Sequence, residues 1–491
     1  MAYNTPWTVT NGASLATIDA ILKEDYQGAV RDQLHREVKL LQLFSKGKAS
    51  WNGKQFVISM RVGGNDTIGF RGEGDQLPQA GKQKFVRVFN SAKFLYGVFE
   101  IGGPDIAASA NGGSMALANT LHDEMQYLVE DIKDFADRKM YHGGQVKGLI
   151  NEKSAALTYT GTGVFSAAGN EVSEEVEYCG DFSYFNSCVA ATIGTWVRVK
   201  LVEMSDYTEV PVPTGGELYV IAADEAGGKI TLGLAMNGAN TECDFSAGAT
   251  TQTIDGVTYT VKQGVPVAVL LAEATPLSAV GLPTGLHNPA APGSAGLNSA
   301  LEFSGLLDNL CNPSHHGESR VSGGNAGNPA DKLQATALCM KSAASDKKIA
   351  ISADRWQQSV DIMRNLSRRK PDVYLTNPLT RHKYIAASTV TINTDIAGST
   401  GADRGFKEES LGFAGTPIQV DSNCPKSLIF GLHLSSWKVY ELKAGDFDDT
   451  DGKVLRKLAQ EDRFEGVWKW YLELICDYPN ANMILCGFHD T

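Results

Sequence analysis

Long apolar runs are missing from this 491-residue sequence. No stretch of about 18 apolar residues occurs, so no membrane span is expected. Met1 to Thr10 hold no basic segment followed by an apolar run, so no secretory signal is expected and the chain reads as staying where it is made. Paired cysteine spacing is also lacking. Cys179, Cys188, Cys243, Cys311, Cys339, Cys424, Cys476 and Cys486 are scattered, which reads as reduced, mostly buried thiols. Basic residues are scarce in one third of the chain. Residues 151–300 carry five Lys or Arg against sixteen Asp or Glu, a net of −11, whereas the other 341 residues carry 39 against 40. That segment therefore reads as a separate domain, and one poorly suited to nucleic acid, because phosphate contacts need Lys and Arg.

Catalytic patterns are missing too. There is no GxxxxGK[ST] phosphate loop, no GxGxxG between strand and helix, no HExxH, no GxSxG and no CxxC. Gly161-Thr162-Gly163 and Gly323-Gly324-Asn325-Ala326-Gly327 lack the remainder of either nucleotide motif. His315-His316, with Cys311 nearby, has no carboxylate at ligand spacing, and adjacent loop residues rarely face one metal. Glu171, Glu174, Glu175 and Glu177 read as a solvated acidic face. No catalytic, metal or cofactor residue is nominated, and the chain reads as a non-enzyme.

What is present is 43% hydrophobic and 20% charged, ordinary for a globular chain of about three domains at roughly 150 residues each. Residues 1–12 form a polar arm with Pro6 and Trp7. From Ser14 to Leu41, apolar residues at spacings of three and four predict a helix. Residues 56–62 then alternate with period two, a glycine-rich charged stretch runs from Gly63 to Gly81, and 84–89 and 94–101 read as further strands. Together they predict a long hairpin with a wide polar tip. A two-stranded hairpin is marginal alone, so it is expected to lie against a neighbour or to fold back onto its own sheet. Met115, Ala118, Leu121, Met125, Leu128, Ile132 and Phe135 predict a helix over 114–142, about 42 Å long, stopped by Gly143-Gly144. Short strands with glycine-rich turns across 152–300 predict a sandwich or barrel inserted in a host fold, with a Pro-rich linker at 283–292. Beyond 301, alternating elements predict an α+β domain ending in strands; in 467–475, Trp468, Trp470, Leu472 and Leu474 share one face.

This order resembles the major capsid proteins of tailed bacteriophages with the Hong Kong 97-like fold. The residues behind the resemblance are Phe70-Arg71-Gly72-Glu73-Gly74, Ala92-Lys93-Phe94-Leu95-Tyr96-Gly97, Phe135-Ala136-Asp137-Arg138-Lys139, Lys370 to Pro378, Gly415-Thr416-Pro417-Ile418 and Trp470-Tyr471 to Asn482. The resemblance implies an α+β fold with an N-arm and helix (1–45), an extended β-hairpin loop (46–100) and a peripheral domain (101–151) containing the spine helix (114–142). An axial domain (301–436), peripheral strands (437–478) and a final axial strand (479–491) would follow. The acidic β-rich stretch 152–300 is an insertion that the minimal fold lacks.

By the same resemblance, the chain assembles with itself as hexamers and pentamers into an icosahedral shell around double-stranded DNA, without sequence specificity, in the host cytoplasm and then in the virion. Portal, and scaffold or decoration proteins, are the other expected partners. Arg71, Glu73, Asp75, Lys82 and Lys84 at the hairpin tip, and Tyr3 and Trp7 on the arm, are candidate inter-subunit contacts. Some relatives cross-link a loop lysine to an asparagine; Lys82 and Lys84 lie in that region, but no partner residue is matched. An acidic insertion is cheapest on the outer surface, away from phosphates. An encapsulin-like compartment shell and a carbohydrate-binding or hydrolytic protein stay open as alternatives.

Overall fold

The structure is a computed structural model that describes residues 38–47, most of 55–104, 114–151, parts of 157–271, 302–321, 332–388 apart from 343–344, 411–449 and most of 454–488. The helix expected from Ser14, apart from Lys39–Leu43, the linker at 283–292, and Tyr3, Trp7 and Asp75 lie outside the described residues. The described elements are mixed α and β, and the chain divides into two compact units.

One unit comprises residues 1–42, 92–137 and 440–473. Its sheet pairs Lys93–Gly102 with Arg463–Cys476 in antiparallel register, from Lys93↔Leu472 to Gly102↔Arg463. The hairpin read from the sequence ran on through residue 100; instead this strand leaves it after Asn90 and joins the sheet. Side-chain alternation explains why. Gly97, Phe99 and Ile101 share one face, and a Cβ at Gly97 would stand 2.2 Å from Ile132 Cδ1 on the long helix. The missing side chain is what lets Ser114–His142 lie close on the sheet. Trp468, Trp470 and Leu472 are buried while Lys469 and Tyr471 are half-buried, the alternation that the sequence pattern anticipates. Asp137, fully buried on the helix, accepts the backbone N–H groups of Leu40 and Leu41 at 2.9 and 3.2 Å and so fixes the entry of the short helix Lys39–Leu43. Asp448 is buried between Lys469 Nζ, 2.5 Å away, and the Arg456 guanidinium.

The second unit comprises residues 43–91, 138–439 and 474–491. It contains a mixed six-stranded sheet in the order Thr336–Cys339, Met483–Cys486, Ile429–Leu432, Val373–Thr376, Thr416–Val420, Gly412–Phe413. Helix Ala353–Ser367 covers one face. Ser352 caps it by accepting Arg355 N–H, and Trp356, Val360 and Met363 pack on Tyr374, Ile418 and Met483. Trp356 stacks on Phe413 with centroids 4.5 Å apart.

The acidic stretch folds in this unit as a closed antiparallel barrel of Lys229–Ala235, Val172–Gly180, Val146–Ile150, Val267–Leu271, Val197–Glu203 and Glu217–Asp224. Its first stave precedes residue 152, because Val146–Ile150, buried along its whole length, is needed to close the ring. Ile150, Val176, Tyr178, Val199, Leu201, Val220, Ile230 and Val269 fill the interior.

A buried ionic cluster ties the barrel to the end of the long helix. Glu302 receives Lys139 Nζ at 2.6 Å and Lys147 Nζ at 2.9 Å, and the Lys147 ammonium sits 4.0 Å over the Tyr184 ring. Burial pulls the Lys147 ammonium down to about 8, with Glu302 opposing the shift. His142 Nε2 lies 3.0 Å from Asp181 Oδ2, yet burial pushes its imidazole down to about 4. Unfolded, this histidine would take a proton near pH 6.5. The stability present above that pH is therefore lost as pH falls from about 6.5 towards 4, by about 3 kcal/mol at most. Urea unfolding of the full chain at pH 7.5, 5.5 and 4.5 is expected to show this loss, and His142→Gln to flatten it; an unchanged slope in that variant would refute the assignment.

Candidate subunit-contact surface

Strands Phe56–Gly63 and Lys84–Asn90 form a separate two-stranded sheet. The antiparallel register sends Phe56, Ile58, Met60 and Val62 to one face with Val86, Val88 and Asn90. Met60, Val62 and Val88 are buried there against Leu333, with Ile58 and Val86 beside them. Phe89 N–H donates to His316 O at 3.2 Å. The hairpin is thus anchored on its own unit by one face only.

The opposite face, which lies in water, mixes Val57, Phe85 and Phe89 with Ser59, Arg61 and Arg87. Val57 stands across from Phe89, Ser59 from Arg87 and Arg61 from Phe85. Phe85 is 62% exposed; towards the tip, Ile68 is 88% exposed and Phe70 fully so. Such side chains are each worth about 1.5–3 kcal/mol when fully buried.

The other unit has a comparable face of its own. Opposite the helix, its sheet presents Phe94, Tyr96 and Val98, each at least half exposed, in register with Tyr471, Lys469 and Val467. Phe94 and Tyr471 meet edge to face at 4.8 Å, and the Tyr96 and Tyr471 hydroxyls are 3.4 Å apart. Lone exposed hydrophobics are normal, whereas a contiguous apolar face marks a contact site.

Of the contacts read from the sequence, Arg71, Glu73, Lys82 and Lys84 are exposed. Arg71, Glu73 and Lys82 form no ion pair among the described residues, and Lys84 stands across from Gly63 at the end of the ladder. The structure does not bring these charges together. The exposed aromatics beside them were not singled out, and they had a signal: Phe85-Val86-Arg87-Val88-Phe89 and Phe94 to Ile101 are predominantly apolar on both faces, interrupted on the outer one by Arg87 and Glu100.

The other candidates are core features. His315 is fully buried; Arg320 lies 2.7 Å from its Nδ1, and burial together with that guanidinium holds its imidazole well below the usual range. Among the described residues no group of three or more His, Cys, Asp or Glu is disposed to hold a metal ion, and seven cysteines are free and buried. Burial pushes the Cys476 thiol up to about 12, which leaves it unreactive at neutral pH. No described helix is long and apolar enough to cross a membrane.

Exposed in the single chain, the outer hairpin face contributes little to its folding. Phe85→Ser with Phe89→Ser is expected to shift unfolding free energy by no more than about 1 kcal/mol. A loss above about 3 kcal/mol in urea titration would mean that the face is covered intramolecularly.

No protein-family model and no curated protein matches the sequence. Among solved structures, the chain is similar to the cyanophage A-1(L) capsid asymmetric unit, at 11% identity over 95% of this chain and 96% of that one, with TM-score 0.46. It is similar also to the capsid of cyanophage P-SCSP1u, at 11% identity over 98% and 99% with TM-score 0.40. The holo-SrpI encapsulin complex from Synechococcus elongatus PCC 7942 is similar at 12% identity over 32% of this chain and 54% of that one, with TM-score 0.23.

Proposed function

We propose that this chain is a capsid shell protein, the major capsid protein of a tailed bacteriophage with a Hong Kong 97-like fold. On this reading it assembles with itself as hexamers and pentamers into an icosahedral shell around double-stranded DNA. The observation that carries the reading is the hairpin, held by one face while Val57, Phe85 and Phe89 stay in water on the other and Ile68 and Phe70 are exposed in the connection between its strands. Closed symmetric assembly supplies each copy with the same complementary surface, so an exposed face on every copy is buried on every copy. The second apolar face, at Phe94, Tyr96 and Val98, is of the kind that would receive it.

The order of hairpin, long helix, mixed sheet and returning last strand supports the same reading. The arm residues Tyr3 and Trp7 and the charged tip residues Arg71, Glu73, Asp75, Lys82 and Lys84 are proposed as further contacts around this apolar centre. The acidic barrel, with Glu175, Asp224 and Glu225 exposed, is proposed to face outwards, where a decoration protein could bind; portal and scaffold are the remaining proposed partners.

Negative-stain microscopy of the expressed full chain tests this. Regular shells or capsomer rings are expected, and Phe85→Ser with Phe89→Ser is expected to leave a folded chain that forms neither. A wild-type chain that stays monomeric at every concentration would overturn the reading. Native particles filled with a protein cargo instead of DNA would overturn its genome-enclosing part.

A further inference from the structure

Helix Ala353–Ser367 and the loop after it carry Arg364, Arg368, Arg369 and Lys370, four cations within seven residues of a chain whose net charge is −12. Arg364, Arg368 and Lys370 are exposed, and none of the four side chains has an ion-pair partner among the described residues. The two carboxylates nearest in sequence are engaged. Asp361 accepts Gln357 Nε2 at 3.0 Å; Asp372 Oδ2 accepts Leu434 N–H at 3.0 Å and lies 2.8 Å from His433 Nδ1.

Helix-dipole complementation accounts for cations in the last turn, but Arg369 and Lys370 lie beyond it. Two further details point outward. Arg368 occupies the left-handed position that ends the helix, with φ of 57°. Glycine relieves the cost of that conformation, about 1–2 kcal/mol for other residues, and here an arginine stands in it. The Arg369 guanidinium, meanwhile, is laid 4.3 Å over the ring of Tyr478, itself half exposed. One cation is thus held on an aromatic platform, while the three others within six residues of it are open to solvent with no ion-pair partner among the described residues.

We infer that this patch binds the phosphate backbone of double-stranded DNA without reading its sequence. Arg364, Arg368 and Lys370 act as point charges and Arg369 is pre-positioned by Tyr478. The choice of DNA as the polyanion rests on the proposed shell function; the binding itself does not. Phosphate contacts release counterions, so each adds about 0.9 to the slope of log affinity against log salt.

The test uses the purified full-length chain before assembly and a fluorescent 30-base-pair duplex, with anisotropy titrations from 50 to 200 mM salt. The variant R364Q/R368Q/K370Q is expected to lower the slope by about 2.7, so that it loses about 40-fold less affinity than wild type over that range. The control K200Q/K229Q/K426Q removes equal charge from lysines paired with Glu209, Glu175 and Glu225, and is expected to leave the slope unchanged. The inference fails if wild type shows no salt-dependent binding, if the patch variant keeps the wild-type slope, or if the control lowers it equally. Microscopy of the same variants separates the two ideas. Shells from a chain whose patch does not bind DNA refute the patch alone, and DNA binding by a chain that never assembles refutes the shell alone.

Discussion

A β-strand with apolar side chains on both faces has to be covered twice, and this chain covers several of its strands once. That constraint orders the rest of the molecule. The inner faces are settled by ordinary packing: Leu333 under the hairpin, and Ile132 over Gly97. The outer faces hold Phe85 and Phe89 on one element and Phe94 and Tyr96 on another, and nothing among the described residues covers them. Long unpaired strands ordinarily invite uncontrolled association. Here Arg61 and Arg87 are interleaved with the hairpin aromatics, and Lys469 with those of the sheet, so a charge breaks each outer face.

Much of the fold was legible because its signals are local. The long helix ends where Gly143-Gly144 stops it, as its apolar spacing and that glycine pair predict. The strand Arg463–Cys476 declared its buried face through two tryptophans. Pairing was harder, since it depends on residues far apart. That Lys93–Gly102 would abandon the hairpin follows from Gly97 meeting Ile132, and that Val146–Ile150 would close a barrel follows from its register with Val267–Leu271. The exposed surface was only partly legible: the charges at the glycine-rich tip stand out in the sequence, whereas the exposure of Phe85, Phe89, Phe94 and Tyr96 depends on which face of each strand the fold covers.

Charge is partitioned in the interior as well as along the sequence. Glu302 and Asp448 each face two cations; around Glu302 both are buried, so removal of that single carboxylate would leave two buried positive charges uncompensated, whereas Lys469 and Arg456 beside Asp448 keep part of their side chains in water. Such clusters add little net stability compared with apolar packing, but they penalise every alternative arrangement of the elements they join. The Glu302 cluster thereby specifies how the barrel follows the long helix, a junction that the scarcity of basic residues after 151 would otherwise leave to loops.

The carboxylate of Asp137 has a mechanical corollary. It grips the backbone at Leu40 and Leu41 in the short helix Lys39–Leu43. Any displacement of that helix is delivered to the buried side of a 29-residue rod. Load on the shorter element is thereby borne by the longest helix among the described residues.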